Sequence, residues 1–140
     1  MKENMIIGIV VSKTHHEITN IMLERAKRRI TELDAEVGKI IHVEGSFDTP
    51  LAVKKLLESD DIDGVIVLGA VIKGETNHDM IVAETAARAL TELSLNYGKP
   101  VGLGVIGPGA TWQQAVARKE QFAVNSVNAC INMIKELNKI

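Results

Sequence analysis

Four times along the chain, a short apolar run rich in β-branched residues passes through a polar or glycine-punctuated loop into an amphipathic helical pattern. The run Met5-Ile6-Ile7-Gly8-Ile9-Val10-Val11 leads through residues 12–17 into a stretch with apolar positions Ile18, Ile21, Met22, Ala26, Ile30 and Leu33. That spacing is helical rather than alternating. A second run at residues 37–43 leads through Glu44-Gly45-Ser46-Phe47-Asp48-Thr49 into a helix with Pro50 in its first turn, where a missing N–H has no helical partner to lose. Thr49 is the expected N-cap. The third run, Gly64-Val65-Ile66-Val67-Leu68-Gly69-Ala70, is too short for a free-standing helix and reads as a strand buried on both faces. Gly74-Glu75-Thr76-Asn77 then supplies turn and capping chemistry before a helix running to about Tyr97. The fourth unit is a strand at residues 100–106, a loop Gly107-Pro108-Gly109-Ala110-Thr111, and a long helix from about Trp112 to Leu137.

Strand alternating with helix in this way implies a parallel sheet with helices on both faces. The fold class is therefore α/β: a three-layer α/β/α, flavodoxin-like four-stranded parallel sheet, in a single domain spanning residues 1–140. A period of roughly 35 residues also suits a solenoid, but the units share no repeated signature. The formal net charge is −2, and the cluster Arg25-Ala26-Lys27-Arg28-Arg29 falls within a helical pattern as a solvated face, so nucleic acid is not an expected partner. No run approaches the ~20 apolar residues of a membrane span, and the first apolar run lacks signal-peptide anatomy. A cytoplasmic protein is expected. The single cysteine, Cys130, is expected to be a small buried hydrophobe. Hydrophobic residues make up 46% of the chain, more than the helices of a four-stranded sheet would cover, which points to a homo-oligomer.

All four strand-to-helix loops fall on one edge of such a sheet, so Lys13-Thr14-His15-His16, Gly45-Ser46-Phe47-Asp48, residues 73–78 and residues 107–111 should converge on a pocket. No Walker loop and no G-x-G-x-x-G turn is present, which disfavours nucleotide triphosphates and dinucleotides. His15, His16, Glu17, His78 and Asp79 would be the residues to hold a metal, but none of the usual zinc spacings occurs. His78 is either a proton-transfer residue at the pocket rim or a helix-capping histidine. Asp48 either caps its helix or accepts hydrogen bonds from a polyol. Phe47 is placed in its loop for more than packing, His42 is structural, Trp112 is a packing anchor, and Arg118 on its own reads as a solvated helical arginine.

Taken together, Ile18-Thr19, Gly45-Ser46-Phe47-Asp48-Thr49-Pro50 with Leu51-Ala52-Val53-Lys54-Lys55-Leu56, the stretch from Leu68 through Lys73-Gly74-Glu75-Thr76-Asn77-His78-Asp79, and Gln114-Ala115-x-x-Arg118 resemble the lumazine synthases, particularly their archaeal forms, over essentially the whole chain. The resemblance implies a transferase of riboflavin biosynthesis that condenses 5-amino-6-(ribitylamino)uracil with 3,4-dihydroxy-2-butanone 4-phosphate, without metal or organic cofactor. It implies His78 as the proton-transfer residue and Arg118 as the phosphate clamp. By the same resemblance Glu75 and Thr76 stand at a phosphate-binding helix start, Asp48 receives the ribityl chain, and Ser46, Phe47, Ala70, Val71, Ile72 and Leu103 line the pyrimidine and its substituent. Family members form pentamers with sites between subunits, and some assemble twelve pentamers into a sixty-subunit icosahedral capsid. Leu103 and Arg118 would then serve a neighbour's site.

One departure stands out. The family carries an aromatic residue in the first loop that stacks on the pyrimidine; here Thr14 holds that position, so either His15 or His16 supplies a ring face from the neighbouring position or uracil binding is weaker. Two rival readings remain at this stage: the archaeal type of riboflavin synthase, which lacks the Gly-Glu-Thr-Asn-His pattern, and a non-catalytic flavin or lumazine carrier or shell protein.

Overall fold

The computed structural model describes residues 4–74 and 78–140. Its elements run β1 (Ile6–Ser12), α1 (His16–Glu32), β2 (Glu36–Val43), a 3-10 turn (Ser46–Asp48), α2 (Thr49–Leu57), β3 (Gly64–Ile72), α3 (His78–Tyr97), β4 (Val101–Ala110) and α4 (Trp112–Leu137). The strands form one parallel sheet in the order β2-β1-β3-β4.

The period-two geometry of a strand sorts the apolar residues between two cores. Ile7, Ile9 and Val11 of β1 and Ile66, Leu68 and Ala70 of β3 face α1 and α4, against Ile18, Met22, Ile30, Val127 and Ile131. Val10, Val65 and Val67 face the other way, toward Val53, Leu56, Leu57 and Leu90 of α2 and α3. This is the three-layer arrangement that the alternation implies. Both middle strands are covered on both sides, which is why their sequences are unbroken apolar runs. Each fully buried isoleucine or leucine stabilises such a core by roughly 2 kcal/mol.

Two local expectations need correction. Thr49 does not act as N-cap: it is the first residue of α2, and its Oγ1 donates to the Ser46 carbonyl at 2.8 Å. The preceding 3-10 turn runs straight into the helix, so the cap position passes to Asp48. Nor is the segment after residue 106 a loop. It continues β4 to Ala110, because β3 runs on to Ile72 and pairs with it across a register shift. Gly107, at φ 101°, makes that shift possible; a Cβ there would collide with the Val71 carbonyl oxygen.

Cys130 packs on the α4 side against Gly64, where an added Cβ would meet its sulfur at 2.6 Å. Burial pushes its thiol up to about 12 from 9.0. The native protein should therefore react with a disulfide reagent at pH 8 only after denaturant is added, since the thiolate is the reacting species; rapid labelling of the folded protein would show an open α4 packing. Between pH 9 and 12 only the unfolded chain releases this proton, so the contribution of Cys130 to stability falls as pH rises through that window.

Candidate active site

A cleft of about 460 Å³ opens at the carboxyl ends of β1, β2 and β3, beside the point where the chain order reverses across β1 and β3. Open parallel sheets place ligands there.

The β1–α1 loop forms one wall with Thr14 and His15. Thr14 is held twice: its N–H donates to Ser12 Oγ at 3.2 Å, and its own hydroxyl donates to the Glu44 carbonyl at 2.7 Å. His15 adopts the left-handed conformation, φ 59° and ψ 49°, at the N-cap of α1, yet its side chain makes no capping bond. Its ring instead meets the indole of Trp112, centroids 5.7 Å apart and planes at 69°. Trp112 itself opens α4, after a capping box in which Thr111 Oγ1 accepts from Gln114 N at 3.1 Å and Gln114 Oε1 accepts from Thr111 N at 3.0 Å.

The β2–α2 loop supplies Gly45, Ser46 and Phe47. Ser46 is buried against β3 because Gly69 has no side chain: a Cβ there would come within 2.7 Å of Ser46 Oγ. Phe47 stands 57% exposed at the rim. Asp48 does not line the cleft. Its Oδ2 accepts from the Gly45 N–H at 3.0 Å, and although Asp48 holds the N-cap position of α2, its side chain makes no capping bond to that helix.

Ala70, Val71 and Ile72 at the end of β3 make an apolar floor, and His78, Asp79 and Val82 of α3 close the far side. Val82 follows His78 by one helical turn and so shares its face. Asp79 is 8% exposed, and its Oδ2 accepts from the Gly109 N–H at 3.0 Å, tying the start of α3 to the end of β4. The sequence named Asp79 only as a metal candidate; its place in the first turn of a helix entering the pocket is the signal that marks it. Among the described residues no group of three or more His, Cys, Asp or Glu is arranged to hold a metal ion. No described helix is long and apolar enough to cross a membrane. His42 lies exposed on β2, away from the cleft.

The structure thus brings together Thr14, His15, Ser46, Phe47, Ala70, Val71, Ile72 and His78. Glu75 and Thr76 lie outside the described residues. Leu103 and Arg118 are not in this chain's cleft. Leu103 is half-exposed in a groove between β4 and α3. Arg118 is exposed on α4, with no hydrogen bond or ion pair to it among the described residues.

The arrangement offers an apolar slot for a flat ring and an ionisable histidine at a helix start. The family model described as 6,7-dimethyl-8-ribityllumazine synthase matches residues 4–138. A protein of that name from Saccharolobus islandicus is 51% identical over 141 residues, covering 100% of this chain and 92% of the relative. One from Saccharolobus solfataricus is 49% identical with the same coverage. Another from Metallosphaera sedula is 47% identical over 134 residues, 96% of this chain and 89% of the relative.

Proposed function

The chain belongs to the 6,7-dimethyl-8-ribityllumazine synthase family, and from that premise we propose that it is an enzyme of riboflavin biosynthesis joining a ribitylaminouracil to a butanone phosphate. The observation that carries this reading is the convergence of three strand-to-helix loops, bearing His15, Ser46 with Phe47, and His78, on one apolar cleft. The pyrimidine lies between the first two loops and the floor of Ala70, Val71 and Ile72. Its ribityl chain extends toward Asp48, whose carboxylate is already oriented by Gly45. The phosphate sits at the start of α3, where a helix N-terminus favours an anion, and the family resemblance gives Glu75 and Thr76 of the preceding sequence a part in holding it.

The amine of the uracil attacks the butanone carbonyl, and the carbinolamine loses water to give an imine. Phosphate is then eliminated, the resulting enol tautomerises to a ketone, and the ribitylamino nitrogen attacks that ketone with loss of a second water to close the lumazine. Each step moves protons and none needs a protein nucleophile. His78, exposed at the cleft rim, carries them, and holding two reactive substrates together supplies most of the remaining acceleration.

The protein works as a single domain in the cytoplasm and assembles as a homopentamer, free or in a capsid, in which Leu103 and Arg118 of one copy complete the cleft of the next. An exposed arginine with no partner among the described residues and apolar residues left outside, such as Leu51 at 71% and Leu95 at 77% exposure, support assembly.

The test is direct. Purified protein mixed with both substrates should generate lumazine absorbance well above the uncatalysed background; tight lumazine binding without turnover would make it a carrier instead. Loss of one acid–base group costs ~10²–10⁴-fold, and because this condensation proceeds partly unaided, His78→Ala should fall at or below the low end of that range. Unchanged turnover at saturating substrates would remove His78 from the chemistry.

A further inference from the structure

The first loop of this chain gives the cleft no large aromatic side chain. Thr14 is small, and its hydroxyl is spent on the Glu44 carbonyl. His15 is the loop's only ring on the cleft, and its geometry is unusual on two counts. A non-glycine residue in the left-handed region carries a conformational cost, and such residues persist where the surroundings over-determine them. The cost is not offset by capping: the carbonyl of His15 accepts from Ile18 N at 2.9 Å and Thr19 N at 3.1 Å, while its side chain bonds nothing in α1. What the side chain does touch is Trp112, the only tryptophan of the chain, brought in from the start of α4.

An edge-to-face contact has a geometric consequence. Whichever ring offers its edge, at least one face of the imidazole stays uncovered. The contact also restricts rotation of the imidazole about its side-chain bonds, which favours one orientation of the free face. Trp112 is not itself among the described residues lining the cleft, so its route to a ligand there runs through His15.

We propose that the His15 imidazole, held edge-to-face by Trp112, is the stacking wall for the heterocyclic ring of the substrate, with Trp112 as its positioning residue. This rests on the reading of the cleft as a ribityl-pyrimidine site. It assigns specificity to a pair of residues from the two ends of the chain. Phe47, more than half exposed on a different loop, supplies contact at the rim rather than the wall.

The experiment measures calorimetric dissociation constants for the product, 6,7-dimethyl-8-ribityllumazine, with no second substrate present, alongside steady-state constants for both substrates. Base–aromatic stacking sets the expected scale: His15→Ala should bind the lumazine about tenfold more weakly and raise KM for the uracil similarly, with kcat and KM for the butanone phosphate unchanged. Trp112→Ala should lose about three- to fivefold, in keeping with an edge-to-face pair. Trp112→Phe should recover to within about twofold of the parent, and the double variant should be no worse than His15→Ala. Comparing Trp112→Phe with Trp112→Ala separates positioning from any general loss of stability. Parental binding by His15→Ala, additive losses in the double variant, or no rescue by phenylalanine would each overturn the proposal. A protein that binds lumazine in this pattern but does not turn over would refute the catalytic reading and leave the wall in place. Turnover without the pattern would do the reverse, and no lumazine binding at all would refute both.

Discussion

Arg118→Ala should lower kcat/KM for the butanone phosphate by about two orders of magnitude, because truncating one partner of a hydrogen-bonded charge pair at an interface costs about 2–5 kcal/mol. The effect should appear as a raised KM for the phosphate substrate, with that for the uracil little changed. Lysine should rescue only part, since an ammonium lacks the planar fork that meets two phosphate oxygens at once. The reasoning starts from where the guanidinium is not. Arg118 is exposed, has no partner among the described residues, and does not line the cleft of its own chain. A charge placed so is either idle or used by another subunit, and mixing tells which. Subunits carrying Arg118→Ala, dissociated and reassembled with an equal amount of His78→Ala, should regain about a quarter of parental activity if His78 and Arg118 meet across a ring interface. Wild-type kinetics in Arg118→Ala would make this arginine a surface residue, and mixtures no better than the mean of their parents would place both groups in one chain.

The largest loss of stability is expected from Gly102→Ala. A Cβ at this position of β4 would run into the carbonyl oxygen of Ser126 in α4, so the contact lies between two backbones and no side chain can swing aside. Ser126 is anchored as well, its hydroxyl donating to the Ala123 carbonyl at 2.8 Å. Gly104, two residues on and therefore on the same face of the strand, would bring its Cβ within 2.9 Å of Ser126 Oγ. The helix lies on a glycine track and must lift as a unit to admit a methyl group. Overpacking of this kind costs about 3 kcal/mol, to be read as a lower urea midpoint at unchanged slope. A loss below about 1 kcal/mol would mean that α4 shifts freely on the sheet.

The strands that the sequence reveals most clearly are those the fold buries on both sides. β1 and β3 appear as continuous β-branched runs because neither has a solvent face, and the helices follow from apolar spacing. The extension of β4 was hidden for the opposite reason. Gly107-Pro108-Gly109 has loop chemistry, and only its pairing partner Ile72, distant in sequence, turns it into strand. Thr49 looks like a cap because the turn ahead of α2 is itself hydrogen-bonded and has no signature in residue type. In the site, His78, Ser46 and Phe47 were legible from loops at strand ends. The contact between His15 and Trp112 was not, since no pattern links the first loop to the last helix. The family resemblance, by contrast, assigned Leu103 and Arg118 to a neighbour's site in advance, and neither lines the cleft of this chain.

The strand order has a consequence for how the chain is made. β1 emerges first and finds β2 beside it after α1, but its other edge, lined by the same apolar residues, is bare until β3 has left the ribosome. Parallel pairing depends on such distant partners and is slow to form. During that interval the nascent chain carries an unpaired central strand, the feature that invites misassembly and chaperone capture. The floor of the cleft, at residues 70–72, lies at the far end of the strand that finally covers it. The floor of the cleft is therefore laid down by the same docking event that ends the period of greatest aggregation risk.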